Sequence, residues 1–327
     1  MREIVGDSSP SPARLYSVGS VWDMLEPTLA WISRRAYGVP GVWRVSERLR
    51  HKAAERWRQS PGRWRIIGDY RGDFRLRVDR ASFIGSALYW RGYHSPEVDL
   101  LPRLLGPESV FIDLGANQGE FTVVAARCAV RGRVIAVEPA PTLRENLAVN
   151  LRLNGLENVT IVPSAISDSA GVMPLFADER ILEGYHNEGT ASLWAGGVRG
   201  RTVGEVEVET LDAAVERLAV SRIDLIKIDV EGAELAVLRG GRRSLQRFWP
   251  VMLIELSEEN FNIAGYTTAE LLSELGGLGY EVFLLGLEGR ERRIGPATTL
   301  PRVCNAICRP ASELHVVRPG SGDGRRV

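Results

Sequence analysis

The sequence predicts an α/β protein: seven strands in a mostly parallel sheet, the last strand antiparallel, with a helical extension in front. Three observations carry that expectation. From Val110 onward, short apolar runs alternate with stretches of helical periodicity, as in chains that return repeatedly to one sheet. The runs are continuously apolar rather than alternating, the pattern of strands covered on both faces. The final two runs have no helix between them, only Gly286 to Pro301, so they are expected to pair antiparallel at the sheet edge.

Residues 1–62 read as a helical, aromatic and basic extension. They hold Trp22, Trp31, Trp43 and Trp57, and ten Lys or Arg against six Asp or Glu. Between Gly41 and Gln59, Val42, Val45, Leu49, Ala53 and Trp57 fall at helical spacing while the other faces are basic. Ser60-Pro61-Gly62 ends that pattern. Such a helix suits packing on its own domain or on a second copy in a homodimer; contact with a membrane surface is the less favoured alternative. Residues 63–109 lead into the core. Trp64 to Asp79 has two short strand-like runs flanking Asp69 to Asp73, a hairpin signal, and Ser95 to Leu105 is helix-like. Residues 110–317 form the core domain. Its strands are expected at Val110–Leu114, Val134–Val137, Val159–Val162, Ile223–Ile228, Val251–Leu256, Glu281–Leu285 and Val303–Cys308. Its helices are expected at Phe121–Val130, Leu143–Leu153, Ala233–Ser244 and Thr268–Leu275. Residues 318–327, rich in Gly, Arg and Pro, read as a flexible tail.

Bulk properties narrow the function. The chain has 327 residues, with 41 basic against 41 acidic ones, so charge gives no sign of nucleic-acid binding. Three cysteines, Cys128, Cys304 and Cys308, make no disulfide framework and fit a reducing compartment. The four histidines are scattered and no Cys or His pair suits structural zinc. No apolar run approaches the roughly 20 residues of a membrane span, and the N-terminus lacks the apolar stretch of a secretory signal. The expected location is cytoplasmic.

The chemistry begins at V-F-I-D-L-G-A-N-Q-G-E-F-T, Val110 to Thr122. A strand, a glycine turn and a helix make a nucleotide-cofactor site, and Gly115 and Gly119 let the backbone approach a ligand. The spacing D-x-G-x-x-x-G is neither the dinucleotide G-x-G-x-x-G nor a P-loop. Asp113 at the strand end would repel a pyrophosphate and attract an ammonium or a sulfonium. Glu138, in R-V-I-A-V-E-P-A-P, closes the second strand, where an acid accepts hydrogen bonds from ribose hydroxyls. After the third strand, Ser164 and Ala165 in I-V-P-S-A-I-S-D are placed to contact an adenine.

These segments, with E-N-L-A-V-N-L-R-L-N-G-L-E-N-V, V-E-V-E-T-L-D and R-I-D-L-I-K-I-D-V-E-G-A-E-L-A-V-L-R-G, resemble the FkbM family of S-adenosylmethionine-dependent methyltransferases. The resemblance covers about Phe83 to Arg309. It implies a class I methyltransferase, Rossmann-like sandwich. It also implies a methionyl end of the cofactor over Gly115, Ala116, Asn117, Gln118 and Gly119, with the ribose on Glu138 beside Pro139. The acceptor it implies is a hydroxyl of a sugar, a glycolipid or polysaccharide, or a secondary metabolite.

Methyl transfer to a hydroxyl needs the oxygen aligned behind the methyl carbon and relieved of its proton. In I-D-L-I-K-I-D-V-E-G-A-E-L, Asp229 ends the fourth strand beside the first, so it is the favoured base and also borders the cofactor. Glu231 is the second candidate. Lys227, inside an apolar strand, requires an acidic partner. Glu234 reads as a first-turn charge on the next helix. Asp229 and Glu255, both at strand ends, could share Mg²⁺. Glu183 to Trp194 reads as a long binding loop, with Tyr185, His186 and Ser192 able to bond a saccharide, His186 also able to move a proton, and Trp194 able to stack. Tyr93, His94 and Glu97 precede the first strand and are further candidate contacts. Two other readings compete: an NAD-dependent oxidoreductase or epimerase, disfavoured by the glycine spacing and Asp113, and a non-catalytic cofactor-binding partner subunit. Methylation of nitrogen is disfavoured because no Asn-Pro-Pro-Tyr-like block follows the fourth strand.

Overall fold

The computed structural model describes residues 21–36, 39, 41–57, 60–91, 97–182, 185–195, 201–286 and 290–311. The predicted tail, 318–327, lies outside them. Helices α1 (Val21–Arg35) and α2 (Val42–Trp57) come first, followed by the hairpin β1 (Trp64–Tyr70) and β2 (Phe74–Asp79). Helices α3 (Phe83–Arg91) and α4 (Leu101–Leu104) lead to the core. There the order is β3 (Val110–Leu114), α5 (Glu120–Cys128), β4 (Arg133–Val137), α6 (Pro141–Leu153) and β5 (Val159–Val162). Next come β6 (Ala165–Ser167), β7 (Gly171–Leu182), β8 (Tyr185–Ser192), β9 (Arg201–Thr210) and α7 (Leu211–Arg217). The chain then forms β10 (Leu225–Ile228), α8 (Glu234–Gly240), α9 (Arg242–Phe248), β11 (Val251–Ser257), α10 (Glu258–Ala264) and α11 (Thr268–Gly277). It finishes with β12 (Tyr280–Leu285), β13 (Glu291–Ile294) and β14 (Val303–Pro310).

The main sheet runs β13-β12-β14-β11-β10-β3-β4-β5. Strands β11, β10, β3, β4 and β5 are mutually parallel, and their apolar side chains are covered on both faces by helices. The last two predicted runs, β12 and β14, pair antiparallel at this end of the sheet, as expected, with β14 lying between β11 and β12. Two details differ. An eighth strand, β13, folds back on β12 from within the Gly286–Pro301 connection and forms the edge. Its sequence, E-R-R-I, has three exposed polar positions and gives no apolar signal, which is how exposed edge strands avoid further pairing. The predicted helix Ala233–Ser244 is two helices that meet at Gly241, where a Cβ would fall 2.6 Å from Leu211 Cδ2.

The larger correction lies between β5 and β10. The segment read as a polar binding loop is part of a four-stranded sheet, β6-β9-β7-β8. Strands β7 and β9 alternate polar and apolar residues, so one face covers a small cluster of Ala140, Ala165, Leu175, Leu193 and Val208. Polarity alone does not separate such a half-exposed strand from a loop.

The chain reverses its direction of sheet growth at β3 and β10: β4 and β5 are added on one side, β11 on the other. A crevice therefore opens outside the carboxyl ends of these two strands. The extension and hairpin are part of the same packing. One buried cluster runs from Ala30 and Trp57 through Tyr70 and Leu76 into Phe111, Val134 and Ile307 of the sheet. At the joint, fully buried Arg80 donates to Glu26 at 2.7 Å and stacks 3.6 Å from the Trp57 ring centroid, and the Trp57 indole donates to Glu26 at 2.9 Å. Arg80→Met would leave the Glu26 carboxylate buried without its counter-ion. Its expected cost is about 3–5 kcal/mol of stability, read by denaturant unfolding. A loss below about 1 kcal/mol would mean that the joint does not depend on the pair.

Candidate active site

The crevice is a cavity of about 400 Å³, within the size range of small-molecule sites. Its floor is the turn after β3. Gly115, Asn117 and Gly119 have φ of +77°, +52° and +95°. A Cβ on Gly115 would lie 1.8 Å from the Asp229 carbonyl oxygen, and one on Gly119 would lie 2.4 Å from Leu147 Cδ1. The glycines thus let the turn pack against β10 and α6.

Every amide of the turn is used internally. Gly115 and Ala116 both donate to the Val137 carbonyl at 3.0 Å. Asn117 donates to Glu138 Oε2 at 2.8 Å, Gln118 to the Asn117 side chain at 2.7 Å, and Gly119 to Ala116 at 2.9 Å. None of these five donors is aimed at an external anion, so the turn does not form a phosphate cradle. Glu138 is buried and lines the cavity; its other oxygen accepts from Ala140 N at 2.8 Å. Each carboxylate oxygen keeps a second lone pair for a ligand hydroxyl. Burial raises the Glu138 carboxyl to about 7.

Asp113 does not line the cavity. It is fully buried, accepts from Thr122 Oγ1 at 2.6 Å, and lies 3.6 Å from Lys227 Nζ, its partner in register on β10. The expectation of direct contact with a ligand cation is therefore replaced: Asp113 is a counter-ion to Lys227. Lys227 also donates to the Gly115 carbonyl at 2.9 Å, sits 3.2 Å from Asp229, and lies 5.0 Å from the Phe121 ring centroid. Burial opposes its charge, but Asp229 and Asp113 outweigh burial and hold the ammonium above its ordinary value.

The opposite wall carries Asp229, Glu231 and Glu255. Asp229 is 34% exposed and follows Ile228, which pairs in register with Ile254, so Asp229 and Glu255 stand level on neighbouring strands. Burial and then the charges of Asp229, Glu231 and Glu234 push the Glu255 carboxyl well above the usual carboxylate range. Glu231, at φ +54°, accepts from Asn260 Nδ2 at 2.9 Å. Glu234 is not a solvated first-turn charge. It is buried, accepts from Val230 N at 3.1 Å, Gly232 N at 3.0 Å and Tyr266 Oη at 3.1 Å, and burial raises it to about 7.

Other predicted residues divide into two sets. Glu97, Ala116, Gln118, Pro139 and Ala165 line the cavity. Ser164 and Ser192 do not. The Ser164 hydroxyl donates to Glu209 at 2.6 Å, and the Ser192 hydroxyl donates to the Glu231 carbonyl at 2.7 Å, tying β8 to the site. Trp194 packs on the small cluster under β7 and β9. Tyr93 and His94 lie outside the described residues; Tyr185 and His186 belong to β8, with side chains outside the description. Among the described residues no group of three His, Cys, Asp or Glu is arranged to hold a metal. The Asp229–Glu255 pair does not fit Mg²⁺, because Lys227 already serves Asp229 as counter-ion. Sequence reasoning missed Glu120, whose carboxylate lines the cavity, accepts from Tyr70 Oη at 2.7 Å and is raised by burial to about 7. Its place directly after Gly119 was the available signal. Phe83 and Ile84 of α3 also line the cavity; they sit in a uniformly apolar run that gave none.

A family model described as the methyltransferase FkbM domain matches residues 113–282, just over half of the chain. Methyltransferase sdnD of Sordaria araneosa is 33% identical over 158 residues, covering 41% of this chain and 61% of that protein. The 31-O-demethyl-FK506 methyltransferase FkbM of Streptomyces tacrolimicus is 33% identical over 164 residues, covering 42% and 60%. The 2-O-methyltransferase NoeI of Sinorhizobium fredii is 27% identical over 169 residues, covering 47% and 65%. The matches thus span about three fifths of each of these relatives.

Three buried carboxyls at this site, Glu120, Glu138 and Glu234, are raised from 4.5 to about 7. An acid with a raised folded pKa binds its proton more tightly when folded, so its contribution is full below about 4.5 and is lost as pH rises through about 7. The ligand-free protein is therefore expected to lose thermal stability across that window, and Glu234→Gln to flatten the loss. A melting temperature that climbs steadily over the same window would contradict the raised values.

Proposed function

The chain belongs to the FkbM methyltransferase family, and from that premise we propose that it moves a methyl group from S-adenosylmethionine to a hydroxyl oxygen of a saccharide or another hydroxylated small molecule. The observation that carries the cofactor half is the state of the glycine turn: its five amides are consumed internally, and the cavity above it is lined by carboxylates. That surface repels a pyrophosphate and suits a sulfonium and an ammonium, which favours this reading over a nicotinamide dinucleotide. The Gly115–Gly119 turn would lie under the methionyl end, and Glu138 would accept from the ribose. Ala165, Pro139 and Leu143 give an apolar wall for the adenine.

Bound there, S-adenosylmethionine supplies an electrophilic methyl group. The chain's own residues orient the acceptor and take its proton. Lys227 pairs with Asp229 at 3.2 Å and orients its carboxyl group, which suits Asp229 to fix the acceptor hydroxyl by a hydrogen bond. Glu255, level with it and pushed above the usual carboxylate range by burial, is the stronger base of the two and is suited to receive the proton. This divides between two acids the role that the sequence assigned to Asp229 or Glu231. Glu231, bound by Asn260, acts as an orienting neighbour. Transfer to oxygen is supported by the similarity to a 2-O-methyltransferase, and the saccharide class of acceptor by the similarity to the hexuronic acid methyltransferase AglP of Haloferax volcanii, 28% identical over 144 residues.

Calorimetric titration with S-adenosylhomocysteine and, separately, with NAD tests the cofactor. Binding of the first alone is expected, weakened about tenfold or more by Glu138→Ala. Preference for NAD would sink the proposal. Once an acceptor is found, Asp229→Asn and Glu255→Gln are each expected to lower kcat by about 10²–10⁴-fold while cofactor affinity stays near wild type. Unchanged turnover in both would remove them from the mechanism.

A further inference from the structure

Helices α1 and α2 lie side by side on α3 with several polar residues among those turned inward. The buried positions of α1 include Glu26, Ala30 and Ser33, and those of α2 include Ser46, Arg50, Ala53 and Trp57. Ser33 donates to the Trp90 carbonyl at 2.5 Å and Arg50 donates to Ser86 at 3.1 Å, both on α3. Trp22, Leu29 and Ala30 of α1 pack on the core, but four further apolar residues of this helix point the other way. Met24, Leu25, Trp31 and Ile32 are 70%, 51%, 46% and 49% exposed, and their spacing places them in one stripe along the helix. Beside it, the outer face of α2 carries Arg44, Arg48, Lys52 and Arg56, each exposed and four residues apart, with Val45 among them. Arg56 reaches across to Asp23 at 2.9 Å, and Arg35 stacks 4.7 Å from the Trp31 ring centroid. Because both helices rest on α3, stripe and ridge share the surface facing away from it.

Intramolecular packing accounts for the inward faces and leaves the outward arrangement unexplained. A tryptophan-bearing apolar stripe flanked by a line of cations matches the boundary between headgroups and acyl chains of an anionic bilayer. A twofold pairing of this face with itself would gather two cationic ridges into one interface, whereas an anionic surface neutralises them. We propose that the outer face of α1 and α2 is a docking surface for an anionic phospholipid membrane, lying in the interface plane. It does not span the bilayer: no helix among the described residues is long and apolar enough. The surface is joined to the cavity through α3, which supplies Phe83 and Ile84 to the wall.

The test is co-sedimentation of the full chain with vesicles of phosphatidylcholine alone and of equal parts phosphatidylcholine and phosphatidylglycerol. Binding to the mixed vesicles is expected, and about tenfold less to the neutral ones or in high salt. Two double variants, Trp31→Ser with Ile32→Ser and Arg48→Glu with Lys52→Glu, should each lose at least about tenfold in vesicle affinity with unchanged thermal unfolding, since every substituted side chain is solvent-facing. Three results would overturn the proposal: no binding to the mixed vesicles, binding indifferent to both variants, or a dimer abolished by Trp31→Ser with Ile32→Ser in a chain that ignores vesicles. The last would make the face a subunit interface.

Discussion

The Lys227 ammonium sits where the sheet changes its direction of growth, between β3 and β10, and it touches every part of the site that must be held in place. It donates to the Gly115 carbonyl at the start of the glycine turn, faces Asp113 beneath it, and meets Asp229 at the cavity wall. An isolated charge at that depth would be costly, and two isolated carboxylates more so. Together they satisfy one another. The arrangement stores little net stability, because burying ions is expensive even when they pair, but it fixes geometry, since losing any one member leaves the others uncompensated. Thr122 takes the remaining oxygen of Asp113, so the first helix after the turn is tied to the same centre.

The second turn, Asp229 to Gly232, answers the first. The Gly115 turn packs so close to the Asp229 carbonyl that no side chain fits between them. Glu231 adopts a left-handed backbone that a non-glycine residue holds only when its surroundings insist. Three elements insist here. Glu234 binds the amides on either side of Glu231, Tyr266 steadies Glu234 from beyond α10, and Ser192 fastens the Glu231 carbonyl to β8. The second sheet is thus a support for the acidic wall as well as a cover for the crevice.

Much of this was legible in the sequence because it follows from local rules. Continuous apolar strands, the glycines before α5 and the acids at the ends of β4, β10 and β11 each report a covered sheet or its carboxyl edge. What the sequence withheld depends on long-range pairing. Whether β14 sits at the edge or inside the sheet is decided by its partners, and its apolar run reads the same either way. The strands β7 and β9 hide behind polar residues because part of each meets water. Asp113 and Glu234 looked like ligand-facing or solvated charges; only the fold reveals that Lys227 and a buried turn claim them. In α2 the apolar positions Leu49, Ala53 and Trp57 turn inward as their spacing suggests, but Val45 faces out while Ser46 and Arg50 are buried, because their partners lie on other helices and periodicity does not report them.

The charge balance of the cavity has a consequence for whatever occupies it. Among the described lining residues, Glu97, Glu120, Glu138, Asp229, Glu231 and Glu255 face one another with Lys227 as the cation. Burial answers this crowding by raising several carboxyls toward neutrality. A cationic ligand favours their ionised forms, and by linkage the ionised forms favour the ligand. Occupancy by a cation and proton loss from the wall are therefore a single equilibrium. With S-adenosylmethionine as the proposed occupant, its positive charge would favour the ionised forms of Glu120 and Glu138, and loss of that charge would favour their protonated forms.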